Sequence, residues 1–290
     1  MKWPAFAYLR ADSLDDVWRA QAEHGAAAQV IAGGQTLLAT LAFRLSEPGV
    51  LVDITRIAAL RGISVQGSTL RIGALTRHAE LGRDPLVAAH APLLAEAVPL
   101  IAHPAIRNRG TIGGSLAYAD PAAELPACIV ALDATLVLAS ARGERRVAAR
   151  DFFTGLLQTA LEPGEIIAAV EVPAAGPTTR SAIEEVARRS GDYAMAGLAL
   201  CLRIEGGRIG APRLVYFGVG SGPVPASRAA AALDGKPPGA EAIAAAQAAL
   251  AVDLDPPDDL HGPPGMKRHL ARVLTARALS RLLPAGEMAA

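Results

Sequence analysis

Two glycine-rich segments hold most of the chemistry open to this sequence. In Val30-Ile31-Ala32-Gly33-Gly34-Gln35-Thr36-Leu37, a strand-like run meets two glycines and then a helix-like stretch. Consecutive glycines reach backbone conformations closed to other residues, so their N–H groups can converge on one anion. The following helix start adds its positive dipole end, and a pyrophosphate is the natural guest. A plain strand-to-helix turn is the alternative. The second segment is Ile106-Arg107-Asn108-Arg109-Gly110-Thr111-Ile112-Gly113-Gly114-Ser115-Leu116-Ala117. It suits close backbone approach to a flat or phosphorylated ligand, with Thr111 and Ser115 as hydrogen-bonding groups. Arg107 and Arg109 can balance ligand charge. A glycine-rich surface loop with solvated arginines is the plainer reading, but such a loop loses much entropy on ordering, which a bound ligand would offset.

A carboxylate pair follows. Asp120-Pro121-Ala122-Ala123-Glu124 predicts Asp120 at a helix N-cap and Pro121 at the first helical position. Glu124 then falls one turn later on the same face, where both acids can reach a ligand held by the glycine segment. Positioning a ligand suits them better than acid–base catalysis. Tyr193, in the turn Gly191-Asp192-Tyr193-Ala194, is either a core aromatic or a contact for a ring.

Other chemistries find no support. Cys128 and Cys201 are the whole cysteine complement, too few for an iron–sulfur cluster or a disulfide framework. Six scattered histidines show no metal-ligand spacing. Neither glycine segment has G-x-G-x-x-G spacing. Gly218-Val219-Gly220-Ser221-Gly222 comes nearest, but Pro223 and Pro225 block the helix that must follow, so it reads as a structural turn. No P-loop or nucleophile motif is present. The 28 basic and 28 acidic residues balance, which gives no pull toward nucleic acid. Neither a signal peptide nor a membrane span is expected, so the cytoplasm is the default location.

The elements that must position these residues are an α+β set. A helix is predicted over 12–25, capped by Asp12 or Ser13. Strands are predicted at 29–32 and 50–54, and a hairpin at 63–73 turning on Gly67-Ser68. Residues 76–100 read as helix interrupted near Pro85, 107–115 as a loop, and 134–139 with 145–148 as paired strands. Beyond a linker at 174–179 come strands at 194–204 and 212–219, then helices at 239–250 and 266–283. With 290 residues, 51% of them hydrophobic, two domains with sizeable cores are expected. The boundary falls at 176/177.

Taken together, these segments resemble the medium, FAD-binding subunit of the molybdenum hydroxylases, the family of bacterial carbon monoxide dehydrogenase and of the flavin domain of xanthine dehydrogenase. The resemblance rests on Ala32-Gly33-Gly34-Gln35-Thr36, Leu51-Val52-Asp53-Ile54, Ile72-Gly73-Ala74-Leu75-Thr76, Ile106 through Leu116, Ala119 through Pro126, Pro163-Gly164-Glu165-Ile166-Ile167 and Gly191-Asp192-Tyr193-Ala194. It covers nearly the whole chain. Two long motifs in order, about 75 residues apart, are far more specific than a lone glycine pattern.

The resemblance implies a two-lobed FAD-binding domain at 1–176, of the PCMH/vanillyl-alcohol-oxidase-like type, and a smaller α+β C-terminal domain at 177–290. Ile31, Ala32, Gly33, Gly34, Gln35, Thr36 and Leu37 would wrap the FAD diphosphate. Thr111, Gly114 and Ser115 would line a second face of the cofactor, with Asn108 and Gly110 shaping that turn. Asp120 and Glu124 would hold polar parts of the flavin or its ribityl chain, and Ile101 and Ile167 would pack on apolar parts. Tyr193 would screen the isoalloxazine ring. No catalytic residue and no metal ligand is implied for this chain. Three positions depart from the family pattern: Thr36 where Ser is frequent, Tyr118 where His is common, and Ile183-Glu184-Glu185-Val186 where an aromatic and a Lys are often found.

The implied function is electron transfer. A large molybdopterin subunit would hydroxylate the substrate, a small subunit would carry two [2Fe-2S] clusters, and the FAD of this chain would pass electrons to quinone, NAD or O₂. The implied assembly is a dimer of heterotrimers. The rival readings are a self-contained FAD-dependent oxidoreductase of the same fold, and an assembly protein that has lost its flavin. Intact Gly33-Gly34 and Gly113-Gly114 speak against the last, since a vacated phosphate site has no need of them.

Overall fold

A computed structural model describes residues 2–282. A short parallel sheet places Val50–Asp53 between Ala7–Arg10 and Ala28–Ile31. Val50, Leu51 and Val52 are all buried, as a central parallel strand requires. Next to it lies a five-stranded antiparallel sheet in the order Ile63–Gln66, Thr69–Gly73, Ile166–Pro173, Thr135–Ser140, Gly143–Ala148. Its first hairpin turns at Gly67, whose φ of 61° is open to glycine at no steric cost.

Strand alternation makes this sheet serve two cores. Val137 and Ala139 face the lobe built on the parallel sheet and helix Leu14–His24. Leu136 and Leu138 face a larger core filled by helices Pro85–His90, Pro92–Ala97, Ile112–Tyr118 and Glu124–Ala131. The result is the expected two-lobed domain.

A four-stranded antiparallel sheet follows, ordered Thr179–Ala187, Ala194–Glu205, Arg208–Phe217, Val224–Pro225. Ile183, Ala199, Cys201, Val215 and Phe217 on one face close over the larger core of the first domain. The other face carries Leu198, Leu200, Leu214 and Tyr216, covered by helices Ser227–Leu233, Ala240–Asp253 and Pro264–Leu282. There Tyr216 donates to Thr275 Oγ1 at 2.6 Å, and Thr275 donates to Ala271 O. Helix Glu124–Ala131 is thus sandwiched between the two domains, with every residue buried.

Several expectations need correction. Residues 76–100 form three short helices, His78–Leu81, Pro85–His90 and Pro92–Ala97, because prolines restart the chain at 85 and 92. The stretch 107–115 is no loop: helix Pro104–Arg107 leads to Thr111, which caps helix Ile112–Tyr118. The helix expected to open at Asp120-Pro121 starts at Glu124. Ala119 ends the preceding helix at φ 55°, and Asp120 Oδ1 accepts from Ala122 N at 2.9 Å, so this segment is a turn. Glu124 therefore does not follow Asp120 on one helix face. The stretch after Pro173 is tied down, with Ala174 N on Ser68 O and Ala175 N on His90 O. Strand Thr179–Ala187 carries no apolar alternation in sequence, because its polar residues fall on both faces.

Gly197 shows how tightly the junction is packed. A Cβ there would lie 2.0 Å from Phe217 Cζ, and Phe217 is fully buried. Gly197→Ala is expected to lower stability by about 1–3 kcal/mol through overpacking, readable as a shift in denaturant midpoint. An unchanged midpoint would show that the junction yields.

Candidate cofactor site

The first glycine segment leaves the edge strand Ala28–Ile31 of the parallel sheet and bends at Gly34, whose φ is 71°. Among the described residues, no group accepts from the backbone N–H of Gly33, Gly34, Gln35, Thr36 or Leu37. Successive free donors around a positive-φ glycine are the kind of backbone that can turn toward an anion. Gln35 Nε2 donates to Gly33 O at 2.9 Å and steadies the bend. Helix Leu37–Ala42 carries the chain away.

The second segment lies against the first. A Cβ on Gly33 would fall 2.2 Å from Arg109 O and 2.9 Å from Gly110 Cα, so the two backbones touch. From there the chain is bonded to the sheet: His78 N donates to Gly110 O, Ile112 N to Thr76 O and Gly113 N to Ala74 O. Gly113 is glycine because Ala74 occupies its Cβ position, at 2.6 Å. Thr111 Oγ1 accepts from Gly114 N at 3.2 Å and is buried. The first-turn donors of this helix are therefore satisfied, and what it can offer a ligand is different: an exposed glycine at 114, the half-buried Ser115 and the hydroxyl proton of Thr111. Asn108 is exposed at the end of helix Pro104–Arg107.

Arg107 does not face a ligand. Its Nη1 donates to Ile101 O at 2.7 Å and Ala102 O at 2.9 Å, so it braces the backbone. That brace matters to the second domain. A Cβ on Gly191 would sit 2.5 Å from Ala102 O, so the turn bearing Tyr193 rests on the segment Arg107 holds. Ile101 and Ile167 both lie in the large core, buried among protein side chains.

Tyr193 is 54% exposed, so it is not a core aromatic. Its ring centroid lies 6.5 Å from that of His261, on the loop before the last helix. That loop is pinned by fully buried Lys267, whose Nζ lies 2.5 Å from Asp259 Oδ2, and by Arg188, which donates to Leu260 O. Asp120, Glu124 and Tyr118 share the neighbourhood: burial, then the charges of Asp120 and Glu124 and the nearby Tyr118, push the Tyr193 phenol up. Burial also raises the Asp120 carboxyl, and pushes Glu124 up to about 8, with Glu185 and Asp120 adding repulsion. The turn at 218 closes the cluster, Gly218 N donating to Pro121 O at 2.8 Å. Ala102 had no sequence signal as a neighbour of this site, whereas Glu185 lies in the segment 183–186 that departs from the family pattern. Ala102 belongs to it through its contact with Gly191, between domains.

Free N–H donors around Gly34, an exposed Gly114 and a half-exposed Tyr193 with buried acids near it are groups suited to a long, phosphorylated, ring-bearing cofactor. Known families agree. The family described as "FAD binding domain in molybdopterin dehydrogenase" matches residues 4–175, and "CO dehydrogenase flavoprotein C-terminal domain" matches 181–282. The chain belongs to the family of FAD-binding subunits of molybdenum hydroxylases, and it is an oxidoreductase subunit. It is 40% identical to the 6-hydroxypseudooxynicotine dehydrogenase complex subunit alpha of Paenarthrobacter nicotinovorans, covering 98% of this chain and 96% of that one. It is 38% identical to the carbon monoxide dehydrogenase medium chain of Hydrogenophaga pseudoflava, covering 96% of each. Among solved structures, quinoline 2-oxidoreductase from Pseudomonas putida 86 matches with a TM-score of 0.92 at 40% identity, over 97% of this chain and 98% of that one. The carbon monoxide dehydrogenase of H. pseudoflava lacking the Mo-pyranopterin moiety matches at 0.95 and 39%, over the same shares.

The backbone contact at Gly33 gives a direct test. Gly33→Ala must separate the two loops, since Arg109 O cannot rotate away. FAD content of the purified chain is expected to fall at least about tenfold, roughly 1.4 kcal/mol of binding, with the far-ultraviolet circular dichroism retained. Full FAD content in this variant would show that the loop contact does not shape the site.

Proposed function

We propose that this chain carries FAD as the electron-transfer subunit of a molybdenum-containing hydroxylase, and that residues 1–176 hold the cofactor while 177–290 supply the cover at Tyr193. The run of five N–H groups around Gly34 supports the reading, because no described residue accepts from them and a diphosphate is the kind of group such donors hold. Residues Ile31 to Leu37 would hold that diphosphate. Gly114, Ser115 and Thr111 would lie along the cofactor, with Asn108 and Gly110 setting their turn. Asp120 and Glu124 would meet its polar atoms, and Ile101 and Ile167 would back its apolar ones. When bound, the flavin supplies the exchange between one-electron and two-electron carriers.

The remaining chemistry belongs to partners. Two cysteines in the whole chain leave no ligand set for an iron–sulfur cluster, so [2Fe-2S] centres would sit on a small subunit. A large subunit would bind molybdopterin and the organic substrate, and the assembly would be a dimer of heterotrimers in the cytoplasm. The relatives support this: one is named a medium chain and another a complex subunit. No described helix is long and apolar enough to cross a membrane.

The visible spectrum and released cofactor of the purified chain test the reading first. A flavin spectrum with FAD and no turnover of organic substrates is expected; robust turnover without partners would favour the self-contained oxidoreductase. A colourless chain that takes up no FAD would favour an assembly role. Tyr193→Ala is expected to speed the reaction of reduced flavin with O₂ in stopped flow, and an unchanged rate would remove the screening role.

A further inference from the structure

The loop before the last helix is held at its end by a buried cation. Residues Asp259 to Gly262 form a tight turn, with Gly262 N donating to Asp259 O at 3.0 Å. Asp259 Oδ1 accepts from His261 N at 2.9 Å. Its other carboxylate oxygen meets Lys267 Nζ at 2.5 Å, from near the start of helix Pro264–Leu282. The Lys267 side chain has no exposure, whereas Asp259 is partly exposed. Desolvation offsets most of the attraction within such a pair, yet removing one partner leaves a buried charge uncompensated. The effect of the pair is therefore on where Asp259 sits, and the turn follows its carboxylate.

A second tie joins this turn to the one that bears Tyr193. Arg188 directly follows strand Thr179–Ala187, and its Nη2 donates to Leu260 O at 2.6 Å. Beyond Arg188 the chain turns back: Asp192 N donates to Arg189 O at 3.1 Å, and Asp192 Oδ1 accepts from Tyr193 N at 2.9 Å. On its other side this turn rests on Ala102 through Gly191. With both turns held, the Tyr193 and His261 rings stand 6.5 Å apart, centroid to centroid, at 54°. That separation is within the range of interacting aromatic pairs. Among the described residues, His261 carries the one ring paired with Tyr193.

We propose that the turn Asp259–Gly262 is the second half of the cover over the cofactor site, with His261 beside Tyr193 as a covering residue and Lys267 as the positioning residue that sets the turn through Asp259. The proposal rests on the reading of Tyr193 as the screen of a bound flavin ring. A tyrosine that is 54% exposed changes rotamer readily unless a neighbour restricts it. The His261 ring restricts it, and Arg188 makes the two turns move as one body. Lys267 acts at a distance, through the carboxylate of Asp259 and the backbone N–H of His261. The cover then governs how water and O₂ reach the ring, and exclusion of solvent guards a reactive cofactor against side reactions.

The test uses the full chain loaded with FAD, as wild type, H261A, Y193A, the double variant of these two, and K267M, with rates taken per FAD bound. Stopped flow reads the reaction of reduced flavin with O₂. H261A is expected to raise the rate at least about threefold, and the double variant to match Y193A within about twofold, the scatter of independent sites. K267M nearly keeps the side-chain length and removes its charge, so it should raise the rate as H261A does. Hydrogen exchange read by mass spectrometry should show residues 190–194 and 259–262 exchanging faster together in K267M. A wild-type rate in H261A, multiplying effects of H261A and Y193A, or faster exchange at 259–262 alone overturns the proposal. If K267M does not fold, H261A and the double variant carry the test. If Y193A itself leaves the rate unchanged, the screening role of Tyr193 fails and the cover fails with it. If the chain binds no FAD, the cofactor reading fails, and hydrogen exchange still decides whether the two turns are one body.

Discussion

The structure depends on the complete burial of helix Glu124–Ala131. Seven of its eight residues are apolar, proline or cysteine, and all eight are buried. No single sheet can cover such a helix, so one side rests on the first domain and the other on the sheet of the second. Apolar area removed from water in this way stabilises by roughly 25 cal/mol per Å². The same packing locks the domains together and brings buried Glu124 to their junction. The cofactor site is thus a consequence of the junction as much as of the glycine segments.

A second constraint is the contact between the glycine segments themselves. Gly33 meets the backbone at Arg109 and Gly110, and Gly113 meets Ala74. These glycines are needed for close packing of backbone on backbone, and that packing holds the chain around Gly34 with its free N–H groups. Glycine's role here is therefore twofold: positive φ at Gly34, and the absence of a Cβ at Gly33 and Gly113. The second segment contributes a surface, since its own N–H groups are bonded within the protein.

The electrostatics of the site differ from what a charge count suggests. Arg107, which reads as a counter-charge in sequence, is spent on the carbonyls of Ile101 and Ala102. Lys267 is buried against Asp259 and fixes the loop carrying His261. Negative groups cluster where the domains meet, and burial raises their proton affinity. The glycine segment at Gly34 thus offers backbone dipoles, and the domain junction offers carboxyls and phenols.

The sequence by itself determined the local elements. Gly67-Ser68 set a hairpin, the β-branched run at Val50–Asp53 set a buried strand, and Gly33-Gly34 marked a strand-to-helix turn with free donors. These depend on φ, ψ and alternation over a few residues, which sequence spacing encodes. The family resemblance extended this to the cofactor. The helix boundary at Glu124, the spent guanidinium of Arg107 and the rest of Gly191 on Ala102 were decided only by tertiary structure. Each joins residues far apart in the chain, and the burial that sets their charge and orientation exists only once two sheets close over one helix.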